Sequence, residues 1–270
     1  MNTPVITFLS DYGLADDFVG VCHGVIASLC PDARVIDITH GVRRHDIRGG
    51  ALLLRGSLPY MPEGVHLAVV DPDVGASRRA VALRAADGRI LVGPDNGLLW
   101  PVADACGGVA EVADISHSPF RLEPVSATFH GRDIFAPVAA RLADGAELAE
   151  AGQPHDPAEL VRLELPRPRM DKDEVIAHAV YVDRFGNVQL DVGHEDLADS
   201  GLKLGREVEL CSPAGETARA HYLRTFADAE PGQLLLYEDA YRVLAVAVAH
   251  GDAASRLGLD VDDELRIRLR

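Results

Sequence analysis

Polar clusters stand at the ends of several apolar runs. Ser10-Asp11-Tyr12-Gly13 follows the run 5–10, Asp71-Pro72-Asp73-Val74-Gly75-Ala76-Ser77-Arg78-Arg79 follows 65–70, and Pro94-Asp95-Asn96-Gly97 follows 89–92. A fourth cluster, Thr128-Phe129-His130-Gly131-Arg132-Asp133, precedes a helical pattern. Carboxylates, guanidinium groups and an imidazole are the side chains that hold charged ligands and handle protons. Asp is also a common turn residue, so one such cluster alone reads as a turn. Three of them at strand ends in one domain read as a site, because ligands of open parallel sheets bind beyond the carboxyl ends of the strands. His130, beside Gly131 and just ahead of a helix, is placed to present its imidazole to a cleft.

Other chemistries find less support. Asp71 and Asp73 make a DxD pair, but no histidine lies close in sequence and no HExxH occurs, so metal-assisted hydrolysis is weakly supported. There is no GxSxG elbow for a serine nucleophile. There is no GxGxxG and no GxxxxGK[ST] to cradle phosphates. In Asp183-Arg184-Phe185-Gly186-Asn187, Phe185 and Asn187 offer an aromatic face and an amide to a planar ring. The competing reading is a strand-to-strand turn with a packed phenylalanine.

The elements that must position these groups divide the chain. Over 1–165, strand patterns (5–10, 34–38, 65–70, 80–84, 89–92) alternate with helical ones (18–30, 46–58, 133–142), which implies an α/β domain with a largely parallel sheet covered by helices. Asp16 or Asp17 is placed to cap the first helix, and Gly49 and Gly50 weaken the second. Two prolines and dense charge mark a linker over 166–174. Over 175–270 the patterns are short strands (175–182, 188–192, 207–210, 218–223, 234–237, 243–248, 265–269) with one brief helix near 253–257. That spacing indicates an all-β barrel-like or sandwich domain.

Composition limits the partners. A chain of 270 residues buries about three-quarters of the surface its unfolded form exposes. With 47% hydrophobic and 25% charged residues it is a folded globular protein. A net charge of −16 argues against nucleic acid and against anionic membranes as partners. No apolar run approaches the roughly 18 residues of a membrane span. The segment 1–13 has no basic region ahead of its apolar stretch, unlike a secretory leader. Cys22, Cys30, Cys106 and Cys211 are scattered without a CxxC pair, which points to a reducing, cytoplasmic setting and gives no zinc site.

Taken in order, SDYG…DDFVG, VIDITHG, VVDPDVGASRR, GPDNGLL, TFHGRDIFAPVAA, DRFGN and GDAASRLGL resemble the S-adenosyl-L-methionine (SAM) hydroxide adenosyltransferase family, the adenosine-forming SAM hydrolases related to fluorinase and chlorinase. The resemblance spans nearly the whole chain. It implies an N-terminal α/β domain and a C-terminal β-barrel-like domain. It also implies a homotrimer whose sites lie between one subunit's N-terminal domain and its neighbour's C-terminal domain. The implied substrate is SAM, with no cofactor and no metal. The implied Asp-Arg-His set maps to Asp71, Arg78 and His130. Asp11 would take the ribose diol, and Asp16 and Asp183 the methionine ammonium. Phe185 and Phe226 would stack on adenine, Asn187 would read its edge, and Phe129 would line the attack site at C5′. The chain departs from the family at Asp73, where glycine is usual, and at Ala240 and Arg242, where serine and glycine are usual.

The residues permit a division of labour. SAM's sulfonium leaves without acid help, and water is the hard partner. A guanidinium does not act as a base, so Arg78 would supply a fixed cation, with Asp71 orienting it. His130 would accept the proton or hold the water. A halogenase of the same family and a non-catalytic SAM or adenosine sensor are the competing readings.

Overall fold

The computed structural model describes residues 3–270. Of the segment 1–13, whose charge pattern differs from a leader's, the first two residues lie outside the described residues. The chain forms two compact units that divide between Leu163 and Glu164. The stretch 166–174 contains a short strand and the first residue of the next one, so part of its charge is laid along a sheet.

The first unit contains β1 (Val5–Ser10), α1 (Phe18–Leu29), β2 (Arg34–Thr39), α2 (Ile47–Ser57), β3 (Val65–Val69), β4 (Ala80–Ala85), β5 (Ile90–Pro94), α3 (Trp100–Ala105), β6 (Val109–Asp114), α4 (Ala136–Ala143), α5 (Leu148–Ala151) and β7 (Gln153–Pro154). Its seven strands make one sheet in the order β2-β1-β3-β5-β4-β6-β7. Pairings are parallel across β2-β1-β3-β5 and antiparallel from β5 through β4 and β6 to β7. The parallel half is covered on both faces, as parallel sheets require. Ile6, Phe8, Val65 and Leu67 pack with α1 and α4 in one apolar layer. Leu9, Ala68, Val70 and Leu91 pack with α2 and α3 in the other.

Local chemistry explains the helix starts. Asp17 holds the N-cap position of α1, but its side chain makes no capping bond. Asp46 does cap α2, accepting Gly49 N–H at 2.8 Å. A Cβ on Gly49 would collide with that carboxylate, and one on Gly50 would press Leu98 and Val70 at 3.0 Å. The two glycines that weaken this helix as a sequence thus leave room for its N-cap carboxylate and for close packing against Leu98 and Val70.

The second unit contains β8 (Arg169–Met170), β9 (Glu174–Val182), β10 (Val188–Gly193), α6 (His194–Leu197), β11 (Glu207–Cys211), β12 (Thr217–Tyr222), β13 (Leu234–Glu238), β14 (Val243–Val248), α7 (Ala253–Leu257) and β15 (Glu264–Leu269). The order β9-β10-β14-β13-β12-β11-β15 closes on itself through β15–β9, giving a seven-stranded barrel with β8 added outside β9. Alternate residues such as Val188, Leu190 and Val192 point inward and are fully buried, the period-2 pattern of a barrel wall. Among the described residues, no helix is long and apolar enough to cross a membrane.

Candidate active site

In the first unit, three of the residues singled out by sequence form one hydrogen-bonded chain. Arg78 donates its Nε–H to Asp71 Oδ1 at 2.9 Å and to Oδ2 at 3.0 Å, and its Nη2 also pairs with Oδ2. The same Nη2 lies 2.8 Å from His130 Nδ1. Asp71 leaves the end of β3, Arg78 enters β4, and His130 stands before α4. Both members of the ion pair are nearly dry, with side-chain exposures of 8% for Arg78 and 6% for Asp71.

That geometry fixes a proton. A guanidinium only donates, so His130 Nδ1 must accept, and a neutral imidazole then carries its hydrogen on Nε2. Burial pushes the His130 pKa down, and the Arg78 charge pushes it further. Of the two roles open to His130, the arrangement supports holding an oxygen through Nε2–H. Accepting a proton would require giving up the Arg78 bond.

The turn before α4 is a single π-helical turn, Gly131–Phe135. Pro137 has no N–H to return to the Asp133 carbonyl, which instead accepts Leu122 N–H at 2.8 Å. Ala136 N–H reaches back five residues to Gly131 O. Such turns are frequent at functional sites. Here it follows directly on His130 and buries Phe135 beneath Arg78, whose guanidinium carbon is 5.3 Å from the ring centroid. Asp133, expected near the start of an ordinary helix, lies within this turn. It accepts Ser126 N–H at 2.7 Å and Arg132 Nε–H at 2.6 Å.

Tyr12 is the site residue that sequence reasoning passed over. Its hydroxyl fills the space a Cβ on Gly131 would occupy, only 2.0 Å from that point. Burial pushes its phenol pKa well up, with Cys22, Asp71 and Asp11 adding to the effect, so it stays a neutral donor beside the ion pair. Tyr12, Phe18 and Phe129 make a cluster of edge-on and tilted rings, with Phe129 at 5.9 Å from Tyr12 and 5.1 Å from Phe18. The available signal was Tyr12 within SDYG itself. Asp11 accepts His45 N–H at 2.9 Å on Oδ2. Asp16 is exposed on the loop before α1.

The GPDNG cluster has structural duties. Asp95 accepts Val161 N–H at 2.9 Å, and Asn96 donates to the Val70 carbonyl at 2.9 Å. At the family's glycine position, Asp73 is exposed and keeps φ negative. Gly75 takes the positive φ of that turn, against the Ala127 carbonyl.

In the second unit, Asp183, Phe185 and Asn187 share the β9–β10 turn. Asp183 Oδ1 accepts the N–H groups of Phe185 at 2.8 Å and Asn187 at 3.0 Å, and Oδ2 accepts Asn187 Nδ2 at 2.8 Å. The strand-to-strand turn is therefore real, but its phenylalanine is not packed away, since Phe185 is 67% exposed. Phe226 packs at a tilt against Tyr237, with ring centroids 4.8 Å apart, and the Tyr237 phenol pKa is raised by burial, then by Asp239 and Asp183. Nothing in its sequence setting marked Tyr237 as the ring against which Phe226 packs. Arg242 adopts φ +62, a conformation that glycine enters at no steric cost.

Comparisons with known proteins respect the same division. The SAM hydroxide adenosyltransferase N-terminal domain model matches residues 6–152, and the C-terminal domain model matches 177–266. An (R)-S-adenosyl-L-methionine hydrolase of Salinispora tropica is 51% identical over 265 residues, covering 98% of each chain. A fluorinase of an Actinoplanes species is more distant, 30% identical with 91% of each chain covered. The crystal structure of an uncharacterized conserved protein from Thermotoga maritima superposes with a TM-score of 0.90 at 35% identity, covering 97% of this chain and 99% of that one.

Proposed function

We propose, from the premise that this chain belongs to the SAM hydroxide adenosyltransferase family, that it hydrolyses S-adenosyl-L-methionine to adenosine and L-methionine. The observation that carries this reading is the Asp71–Arg78–His130 chain, which offers a buried cation and an N–H donor to one oxygen nucleophile. Water held by His130 Nε2–H attacks C5′ in line with the sulfonium. Arg78 stabilises hydroxide character on that water, and Asp71 keeps the guanidinium in register. Methionine leaves as a neutral thioether with the C–S electron pair. The bound water gives its proton to solvent as the C5′–O bond forms, so the oxygen attacks with hydroxide character and no side chain need act as a strong base.

In this reading Asp11 takes the ribose diol, Asp16 and Asp183 face the methionine ammonium, and Phe129 lines the attack site. Phe185, Phe226 and Asn187 receive adenine. A large aromatic left as open to solvent as Phe185 fits a surface that another copy completes, which supports a homotrimer with sites between subunits. SAM needs no cofactor, because its sulfonium is already an activated leaving group. The scattered thiols support a cytoplasmic location.

Incubation with SAM in EDTA, with and without chloride or fluoride, and chromatography of the products tests the assignment. Adenosine and methionine in every arm are expected. A product that requires halide would make the protein a halogenase, and saturable SAM binding without turnover would make it a sensor.

The pH profile rests on the lowered His130 pKa. The active form is the neutral imidazole, so activity is fully present above the ordinary imidazole value of about 6.5 and falls only as pH drops below it. The acid limb of kcat/KM is expected below pH ~6.5 and should be missing in His130→Gln. A limb centred above pH ~7 would contradict a neutral donor held by Arg78.

A further inference from the structure

VIDITHG carries two residues that the reaction does not use. Asp37 lies in β2, His40 stands just past its end, and both face His23 of α1. His23 Nε2 is 2.9 Å from Asp37 Oδ1, and His40 Nε2 is 3.1 Å from the same oxygen. The three ligand atoms lie within 4.8 Å of one another, and this is the group of three His, Cys, Asp or Glu side chains found so disposed among the described residues.

Strand geometry alone would send residues 37 and 40 to opposite faces. The β1–β2 register prevents this. Phe8 pairs with Asp37 and Leu9 with Thr39, so Ile38 is an extra residue that re-aims Thr39 and His40. His40 then buries to 4% exposure against Phe8, with ring centroids 4.7 Å apart.

The second observation is an unpartnered atom. Buried His40 Nε2 has no hydrogen-bond partner among the described residues, although a carboxylate oxygen stands 3.1 Å away. Its other nitrogen, Nδ1, is 2.8 Å from Ser10 Oγ. In the tautomer that carries its proton on Nδ1 and donates it to Ser10, Nε2 turns a lone pair toward Asp37, and a cation held between the two would select that tautomer. The arrangement also supplies the outer hydrogen bond that metal-bound histidines usually make.

We propose that His23 Nε2, Asp37 Oδ1 and His40 Nε2 form a binding site for one divalent transition-metal ion of the zinc type, with solvent as the fourth ligand. Two imidazoles and one carboxylate are the donors such ions prefer, whereas magnesium and calcium prefer oxygen alone. Tetrahedral bonds of about 2.0–2.1 Å place ligand atoms roughly 3.3 Å apart, so the two His–Asp distances need to open by only a few tenths of an ångström, while the two imidazole nitrogens lie within 4.8 Å of each other. His23 and Asp37 are partly exposed, with side-chain exposures of 35% and 41%, which gives the ion a way in. The site is separate from the reaction but tied to its loop. Ser10 Oγ also accepts Tyr12 N–H at 3.3 Å, and Gly13 N–H bonds the His40 carbonyl at 2.8 Å. A bound ion would pin the loop that carries Asp11 and Tyr12.

The test is metal binding by the full-length, metal-stripped protein, read without SAM. Zinc titration by calorimetry should show one saturable site per chain. Cobalt should give the visible absorption of a low-coordinate nitrogen-oxygen site. Zinc should raise the melting temperature, as any ligand selective for the folded state does. His23→Ala, at a partly exposed helix position that alanine suits, and Asp37→Asn, which keeps the shape, should each weaken zinc at least tenfold and abolish the thermal shift. No saturable zinc uptake, uptake unchanged in both variants, or magnesium binding as tightly as zinc would each overturn the site. None of these outcomes depends on whether SAM is the substrate.

Discussion

Arg78→Ala is expected to lower adenosine formation from SAM by about 10²- to 10³-fold, the usual cost of removing one preorganised electrostatic donor. Three effects act together. The cation that favours hydroxide character is lost. His130 loses the donor that fixes its tautomer, so Nε2–H is no longer the enforced state. The Asp71 carboxylate is left with 6% exposure and no counterion, which costs about 3–5 kcal/mol of stability. Kinetics and unfolding should therefore both change. Adding Asp71→Asn to Arg78→Ala should return most of the stability and none of the rate. Arg78→Lys should be nearly as slow as alanine, because an ammonium lacks the fork that serves Asp71 and His130 at once. If Arg78→Ala retains more than a tenth of wild-type kcat, Arg78 is not the electrostatic centre of the reaction.

Phe135→Ala should be the most destabilising apolar truncation near the site, by about 3–5 kcal/mol in urea unfolding. Phe135 is fully buried, packs in the layer with α1 and α4, and supports the Arg78 guanidinium with its ring face. Phe135→Leu separates the two duties. Leucine keeps most of the volume, so stability should drop by less than ~1.5 kcal/mol. The ring is gone, however, and a desolvated cation–π contact is worth up to about 2 kcal/mol, so turnover should still fall severalfold. A cost under ~1 kcal/mol for the alanine variant would mean that the layer closes over the gap and that Phe135 is not a keystone.

How much of this was legible in the sequence differs from residue to residue. Most strands of both units match apolar patterning, because burial acts on each residue locally and leaves a period in the chain; β6, half exposed, and the two-residue β7 and β8 left no such period. The turn over 86–89, too brief for a parallel crossover, marks β4 and β5 as antiparallel, whereas the antiparallel pairings of β4 with β6 and β6 with β7 left no such mark. The ring of Tyr12 and the absent side chain of Gly131 stand far apart in the chain and meet only because the loop after β1 and the π-helical turn pack together. Phe185 was legible as an aromatic at a turn, but its exposure is a property of the folded surface.

The sequence by itself determined the two-part architecture and the family, and it singled out the carboxylate, guanidinium and imidazole that we propose for the reaction, since each lies inside a short ordered motif. Only the tertiary structure decided what those groups do to one another. The 2.8 Å contact between Arg78 and His130 assigns the imidazole proton, and that contact joins residues 52 positions apart. The same holds for His23, Asp37 and His40. Spacing along the chain gave no metal-ligand pattern, because one ligand comes from a helix and the other two face it through a bulge in β2. A linear pattern records neighbours along the chain, whereas a protonation state or a coordination site depends on which atoms folding brings within about 3 Å.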